Sequence, residues 1–312
     1  MNIFLTGASG YIGGSVAMGL LAAGHSVRGL TRGPASANRL RASGIEPVIG
    51  TLDDAELLSR EARASDGVVN AASADHEGAV RALITGLDGS DKPLLHTSGS
   101  SVVGDDARGG KATEQIFDED TPFIVSPSKQ ARRALDPVVL GARDKGIRSA
   151  VICPSLIYGV GRGLNTQSVQ IPFLVTNALE QGIVQIVGSG RNVWSNVHLD
   201  DVVALYLLVL ARPQGGGFYF AENGEASFQA IAAAISERLG LGKTEALPAA
   251  VAAERWGEVK AYYTFGSNSR VRAKRARELG WRPEQASVID WIRTEMPVDR
   301  SPGAPSRPNV HS

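Results

Sequence analysis

The stretch Thr6-Gly7-Ala8-Ser9-Gly10-Tyr11-Ile12-Gly13-Gly14 decides how the rest of the chain is read. It follows a short apolar run at 2–6 and opens an apolar stretch of helical character at 11–23. Strand, glycine turn and helix in that order form the context in which a glycine pattern signals dinucleotide binding. Gly7 permits the tight turn. Gly10 removes a Cβ so that a pyrophosphate can approach the backbone, and Gly13 lets the helix lie close on the strand. Unpaired amides at the helix start, in the segment Ser9, Gly10, Tyr11, Ile12 and Gly13, then face the phosphates. The plainer alternative is a strand-to-helix turn without a ligand; strand, spacing and helix together favour the dinucleotide.

Working outward, the first half alternates short β-branched runs with amphipathic stretches. Strands are expected at 2–6, 26–31, 46–50, 67–71, 93–97 and 148–153, with helices at 11–23, 35–43, 54–64, 75–87 and 128–145. The strand runs lack clean alternation, as befits strands covered on both faces. This repetition predicts an α/β fold, a Rossmann-like doubly wound parallel sheet with right-handed crossovers. Near Ser155 the loops lengthen and single elements follow, at 168–181, 183–187, 200–211, 217–221 and 228–239, then basic helical stretches at 271–279 and 287–295.

Composition removes several classes. Lys plus Arg is 32 and Asp plus Glu is 32 in 312 residues, so net charge is zero. No broad field draws the chain to nucleic acid or anionic lipid. The single cysteine, Cys153, cannot form an intrachain disulfide or a multi-cysteine metal site. The apolar run 202–211 is too short to span a bilayer. The N-terminal residues lack the build of a secretory signal, so no membrane or nucleic-acid partner, no metal and a cytoplasmic location are expected.

Further motifs extend the pattern. They are Gly67-Val68-Val69-Asn70-Ala71-Ala72, the segment from His96 to Gly104, Cys153-Pro154-Ser155-Leu156-Ile157-Tyr158-Gly159, Val197-His198-Leu199-Asp200-Asp201-Val202 and Leu279-Gly280-Trp281-Arg282-Pro283. With the glycine turn, they make the chain resemble the extended short-chain dehydrogenase/reductase superfamily, of the epimerase/dehydratase kind, from residue 1 to about 296. The resemblance implies an NADP-binding Rossmann-like domain at 1–160, with 183–211 returning to it. A smaller C-terminal α/β substrate domain is expected at 161–296 and a disordered tail at 297–312. It leaves a homodimer open.

The second expected strand ends Arg28-Gly29-Leu30-Thr31-Arg32-Gly33. No carboxylate is present to accept from a ribose 2′-hydroxyl, whereas Arg32 can bind a 2′-phosphate in bidentate fashion. NADPH is therefore expected over NADH, against the plainer reading of a solvated arginine. By the resemblance, Thr51 and Leu52 flank the adenine, and Ala71, Ala72 and Ser73 line the groove. Pro154, Ser155 and Leu156 sit near the nicotinamide, and Lys129 binds its ribose.

The superfamily's usual active site is a Ser or Thr with a Tyr four residues before a Lys. Lys129 has the right setting, but four residues before it stands Val125, which cannot transfer a proton. Aligning Gly104 with the family's glycine puts Gly99 where the hydroxyl stands, flanked by Ser98 and Ser100. The usual tyrosine relay is lost. Tyr158 is a candidate proton donor, or a packing residue of its turn. Ser98 and Ser100 are candidates to bind a carbonyl oxygen, or polar strand-end residues. His198 can shuttle protons, or fix the loop before a helix capped by Asp200. His96 reads as structural.

On the substrate side, the segment 188–196 reads as a polar loop in which Arg191 can bind phosphate or carboxylate and Trp194 can form an apolar wall. Ordinary loop chemistry and a core tryptophan are the alternatives. The basic stretch Arg270, Arg272, Lys274, Arg275 and Arg277 reads as the solvated face of a helix. The expected function is an NADPH-dependent oxidoreductase that reduces a ketone, aldehyde or related group of a small organic molecule. A sugar-nucleotide epimerase or dehydratase is the alternative, and a non-catalytic NADP-sensing protein is a third.

Overall fold

The structure is a computed structural model and describes residues 1–212 and 216–298. Strands and helices alternate as β1 (Asn2–Thr6), α1 (Tyr11–Ala22), β2 (Ser26–Thr31), α2 (Pro34–Ala42), β3 (Glu46–Ile49) and α3 (Ala55–Ala64). There follow β4 (Gly67–Asn70), α4 (Glu77–Leu87), β5 (Pro93–Thr97), α5 (Gln130–Gly141), β6 (Arg148–Pro154) and β7 (Leu156–Tyr158). The chain continues through α6 (Gln170–Gln181), β8 (Val184–Val187), β9 (Val193–His198), α7 (Leu199–Ala211) and β10 (Gly217–Ala221). Then come β11 (Glu225–Ser227), α8 (Phe228–Leu239) and β12 (Thr244–Leu247).

Seven strands form the main sheet in the order β10-β6-β5-β4-β1-β2-β3. Every neighbouring pair is parallel. The chain winds outward from β1 to β3, then restarts at β4 on the other side of β1. That reversal opens a crevice beyond the C-terminal ends of β1 and β4, the place where such sheets bind ligands. β4 and β5 are buried along their whole length, which is why their sequences run apolar without alternation. The helices show their covered faces equally plainly. α3 buries Leu57, Leu58, Glu61 and Ala62, and Asp54 caps it by accepting from the Leu57 amide.

A second hydrophobic cluster gathers Leu156, Tyr158, Ile171, Val184, Phe228 and Trp291, among others, from the later elements. Of the segment 183–211, α7 returns to the main sheet's core through Val202, Val203 and Leu205. β8 does not; it pairs with β12 and joins the second cluster. β10, from within the expected substrate segment, pairs with β6 and extends the main sheet. The tail expected at 297–312 lies, from residue 299 on, outside the described residues.

Two segments differ from their reading in the sequence. The supposed loop 188–196 turns into β9 at Val193, between β7 and β11. Ser195 and Asn196 mask the strand because both are buried, and the Ser195 hydroxyl donates to the Val271 carbonyl at 3.1 Å and accepts from its amide at 2.9 Å. The basic helix expected at 271–279 forms only over Lys274–Leu279. Before it, Val271 bridges to Phe117 while Arg270 and Arg272 both pair with Glu225. Among the described residues no helix is long and apolar enough to cross a membrane.

Candidate cofactor and substrate site

The glycine turn lies at the β1–β4 reversal. Gly7 has φ +79°, and a Cβ there would stand 2.6 Å from the Ala71 carbonyl oxygen. A Cβ on Gly13 would overlap the Gly7 carbonyl, so α1 can sit on the turn only without one. On Gly10 a Cβ would meet Gly7 O alone, at 3.2 Å, with open space beyond. No side chain caps α1 and its first turn holds no acidic residue. Its leading amides are therefore available to an anion. Glycine cradle and uncapped helix together fit the pyrophosphate of a dinucleotide. Ser9 is exposed at the tip of the turn. Tyr11 and Ile12 offer amides rather than side chains. The Tyr11 hydroxyl donates to Gly159 O at 2.8 Å, and burial, with Asp200 adding, raises its pKa well above the usual phenol value. Ile12 packs against the core.

The other groove positions fall along the same C-terminal edge. Arg32 is exposed just past β2. Thr51 is exposed and accepts from the Asp53 amide at 3.2 Å, while Leu52 is half-buried against the core. Ala71, Ala72 and Ser73 follow β4, and the Ser73 hydroxyl accepts from the Asp75 amide at 3.3 Å. Pro154 ends β6. The Ser155 hydroxyl donates to Ala221 O at 3.0 Å, tying this end of β6 to β10. Leu156 is wholly buried, its side chain in the second cluster.

Around the expected catalytic positions the structure brings together a different set of groups. Ser98 is buried and its Oγ has no hydrogen-bond partner. The Ser100 hydroxyl is occupied: it lies 3.0 Å from Ser269 Oγ, which itself donates to Ser100 O at 2.9 Å. Val125 is half-buried beside an almost fully exposed Ile124. Lys129 stands half-buried just before α5, and burial, with the nearby Arg132 charge adding, lowers its pKa. One turn further on, Arg132 binds Asp75 through two parallel bonds of 3.0 Å, Nε to Oδ1 and Nη2 to Oδ2. Burial pushes the Asp75 carboxyl up, but the Arg132 guanidinium overrides it and holds the carboxyl below its usual value. Arg132 escapes a reading of the sequence, although its place three residues after Lys129, in the first turn of α5, is a signal that could have found it.

His96 holds the end of a buried chain set by strand register. Thr6 lies opposite Asn70, and Asn70 opposite His96. The Thr6 hydroxyl donates to Asn70 Oδ1 at 2.6 Å, and the Asn70 amide nitrogen meets His96 Nδ1 at 2.9 Å. That nitrogen is a donor, so Nδ1 accepts and the neutral ring carries its hydrogen on Nε2. Burial, reinforced by Arg132, pushes the His96 pKa down to about 4.

The remaining candidates are placed elsewhere. The Tyr158 hydroxyl donates to Gln285 O at 3.0 Å, and its ring packs on His198 and Trp291. Its proton is thus engaged in the second cluster, and burial raises its pKa far above neutral. Trp194 is 3% exposed and its Nε1 donates to Ser267 O at 2.8 Å, so it is core rather than a pocket wall. His198, not Asp200, caps α7, its Nδ1 accepting from the Asp200 amide at 3.2 Å. Asp200 pairs instead with Arg162 at 2.8 Å. Arg191 is exposed on the turn before β9.

Residues 3–219 match the model of the NAD dependent epimerase/dehydratase family, and the chain belongs to it. Oxidase ucsJ of an Acremonium species is 34% identical, over 90% of this chain and 92% of its own. A dTDP-glucose 4,6-dehydratase of Streptomyces antibioticus is 26% identical over 99% of this chain and 98% of its own. Among solved structures, DesIV, the dTDP-glucose 4,6-dehydratase of Streptomyces venezuelae with NAD and TYD bound, superposes with a TM-score of 0.74 at 22% identity, covering 94% of this chain and 95% of that one.

The expectation of NADPH is corrected at this point. Several solved structures of similar fold, DesIV among them, carry NAD. Arg32, on which NADPH rested, is an exposed side chain that can turn to water. A guanidinium there does not repel an unphosphorylated ribose, so its presence does not select against NAD.

Proposed function

We propose that the chain is an NAD-dependent enzyme that exchanges hydride at an oxygen-bearing carbon, with a sugar nucleotide as its substrate class. The observation that carries this reading is the glycine cradle at the β1–β4 reversal, in a fold shared nearly end to end with DesIV. Bound NAD would supply the hydride acceptor. The turn from Gly7 to Gly13 holds the pyrophosphate, Ala71, Ala72 and Ser73 line the groove, and Lys129 reaches for the nicotinamide ribose. The substrate lies between this sheet edge and the second cluster, with Arg191 available to a diphosphate.

A second reading, reduction of a carbonyl with externally supplied cofactor, is favoured by one observation. By the resemblance, Gly99 stands where a hydroxyl that binds the substrate oxygen usually stands, and Val125 where a proton-transferring phenol does. The test is to denature the purified protein and assay released NAD, then to incubate it with dTDP-glucose and UDP-glucose and follow the sugar by NMR. The sugar-nucleotide reading predicts retained NAD and a converted sugar with no net cofactor consumption. Unchanged sugars, with NADH oxidised by members of a carbonyl panel, would replace it with the second reading.

A further inference from the structure

Gly99 has a backbone that any residue can adopt, at φ −169° and ψ 140°. A Cβ there would meet a single neighbour, Arg132 Nη1, at 3.3 Å. The guanidinium is held in place. Asp75 takes Nε and Nη2, and Nη1 reaches Ser101 Oγ at only 3.4 Å. Nη1 carries two hydrogens, so the fork leaves it with one to spare beside the space of the missing side chain. Arg132 is 24% exposed, neither sealed in the core nor free in water. His96, buried beside this group, feels the Arg132 charge. With Lys129 nearby, two cations face the one Asp75 carboxylate.

We propose that Arg132 binds the reacting oxygen of the substrate: through the space that Gly99 leaves, Nη1 donates to the oxygen on the carbon that faces the nicotinamide. It makes the contact that a hydroxyl at position 99 and a phenol at position 125 would otherwise make. The inference rests on the NAD reading above. A guanidinium keeps its proton at any working pH, so it is not the base: the hydroxyl proton passes to water, and Arg132 stabilises the alkoxide left behind as hydride leaves the same carbon for NAD. Asp75 is a positioning residue. Its two bonds fix the plane of the fork and so the direction of Nη1.

The test uses sulfite as a probe on the full chain loaded with NAD. The sulfur lone pair forms a C–S bond to nicotinamide C4, the ring loses its positive charge, and no group leaves. The anionic oxygens then stand where the substrate oxygen would, and the near-ultraviolet band of the adduct reports its affinity. Arg132→Gln should weaken sulfite addition about ten-fold or more. Asp75→Asn loosens the fork but keeps the cation, and should weaken addition clearly less than Arg132→Gln does. Equal weakening in both variants would mean that Arg132 only holds the loop, and would overturn the proposal. So would a wild-type affinity for sulfite no better than that of free NAD, or one unmoved by Arg132→Gln. If Arg132→Gln does not fold, Arg132→Lys is read the same way, with a smaller loss. Wild-type protein that does not bind NAD would fail the underlying reading instead, and that is measured separately in the same titration.

Discussion

At Gly13 an added methyl would overlap the Gly7 carbonyl, whereas at Gly10 it would lie 3.2 Å from the same oxygen and otherwise face open space. Gly13→Ala should therefore lose about 1–3 kcal/mol of stability in urea unfolding, and Gly10→Ala should leave the midpoint nearly unchanged. Equal losses would mean that both glycines serve packing alone. His96 gives a second expected outcome. Its pKa is about 4 in the folded chain against an ordinary 6.5. The unfolded chain therefore binds more protons between these values. The resulting stability is complete above pH 6.5 and is lost as pH falls toward 4. His96→Gln, whose amide oxygen can still accept from Asn70, should show a shallower fall in melting temperature across that window. An unchanged slope would remove His96 from the account. Residues differ in how legible they are. The turn glycines can be read because their constraint is local and steric. Arg132 cannot be read as easily, because its partner Asp75 lies 57 positions away and only the sheet brings them together.

Elements were readable where one face or one cap fixes them. The six strands at the start of the chain emerge within a residue of their expected ends, because burial on both faces leaves an unbroken apolar run. β9 was hidden since Ser195 and Asn196 look like loop chemistry while both are buried. α7 starts within a residue of its expected place, but its cap is His198 and not Asp200. Asp200 is a good capping type, yet it falls inside the first turn, and the residue with extended backbone ahead of it is His198. His198→Ala should cost about 1 kcal/mol of stability with no change in NAD affinity. A large loss of NAD affinity at unchanged stability would return His198 to the site. Trp194, expected as an apolar wall or else a core residue, takes the second place, because Ser267 satisfies its N–H inside the core.

At the scale of the molecule, the sheet is completed from both ends of the sequence. β10 covers the edge of β6, and α7 covers the helix face of α1 and the core beneath it. A fragment of residues 1–160 lacks both, leaving β6 as an open edge beside uncovered apolar side chains. It should be aggregation-prone and lack near-ultraviolet circular dichroism, whereas a soluble fragment with a cooperative melt would contradict this account of the sheet. The doubly wound order was legible because each strand–helix unit announces itself. The choice between NAD and NADPH was not, because it hung on the single exposed Arg32 and not on the packing of the fold. The proposed function requires that NAD lie on the turn from Gly7 to Gly13. Calorimetric titration of NAD into the wild-type protein and Gly10→Val tests it most directly. Saturable binding in the wild type, weakened about ten-fold or more when a side chain enters the pyrophosphate's place, is the predicted result. No binding by the wild type, or equal binding by the two proteins, would contradict it.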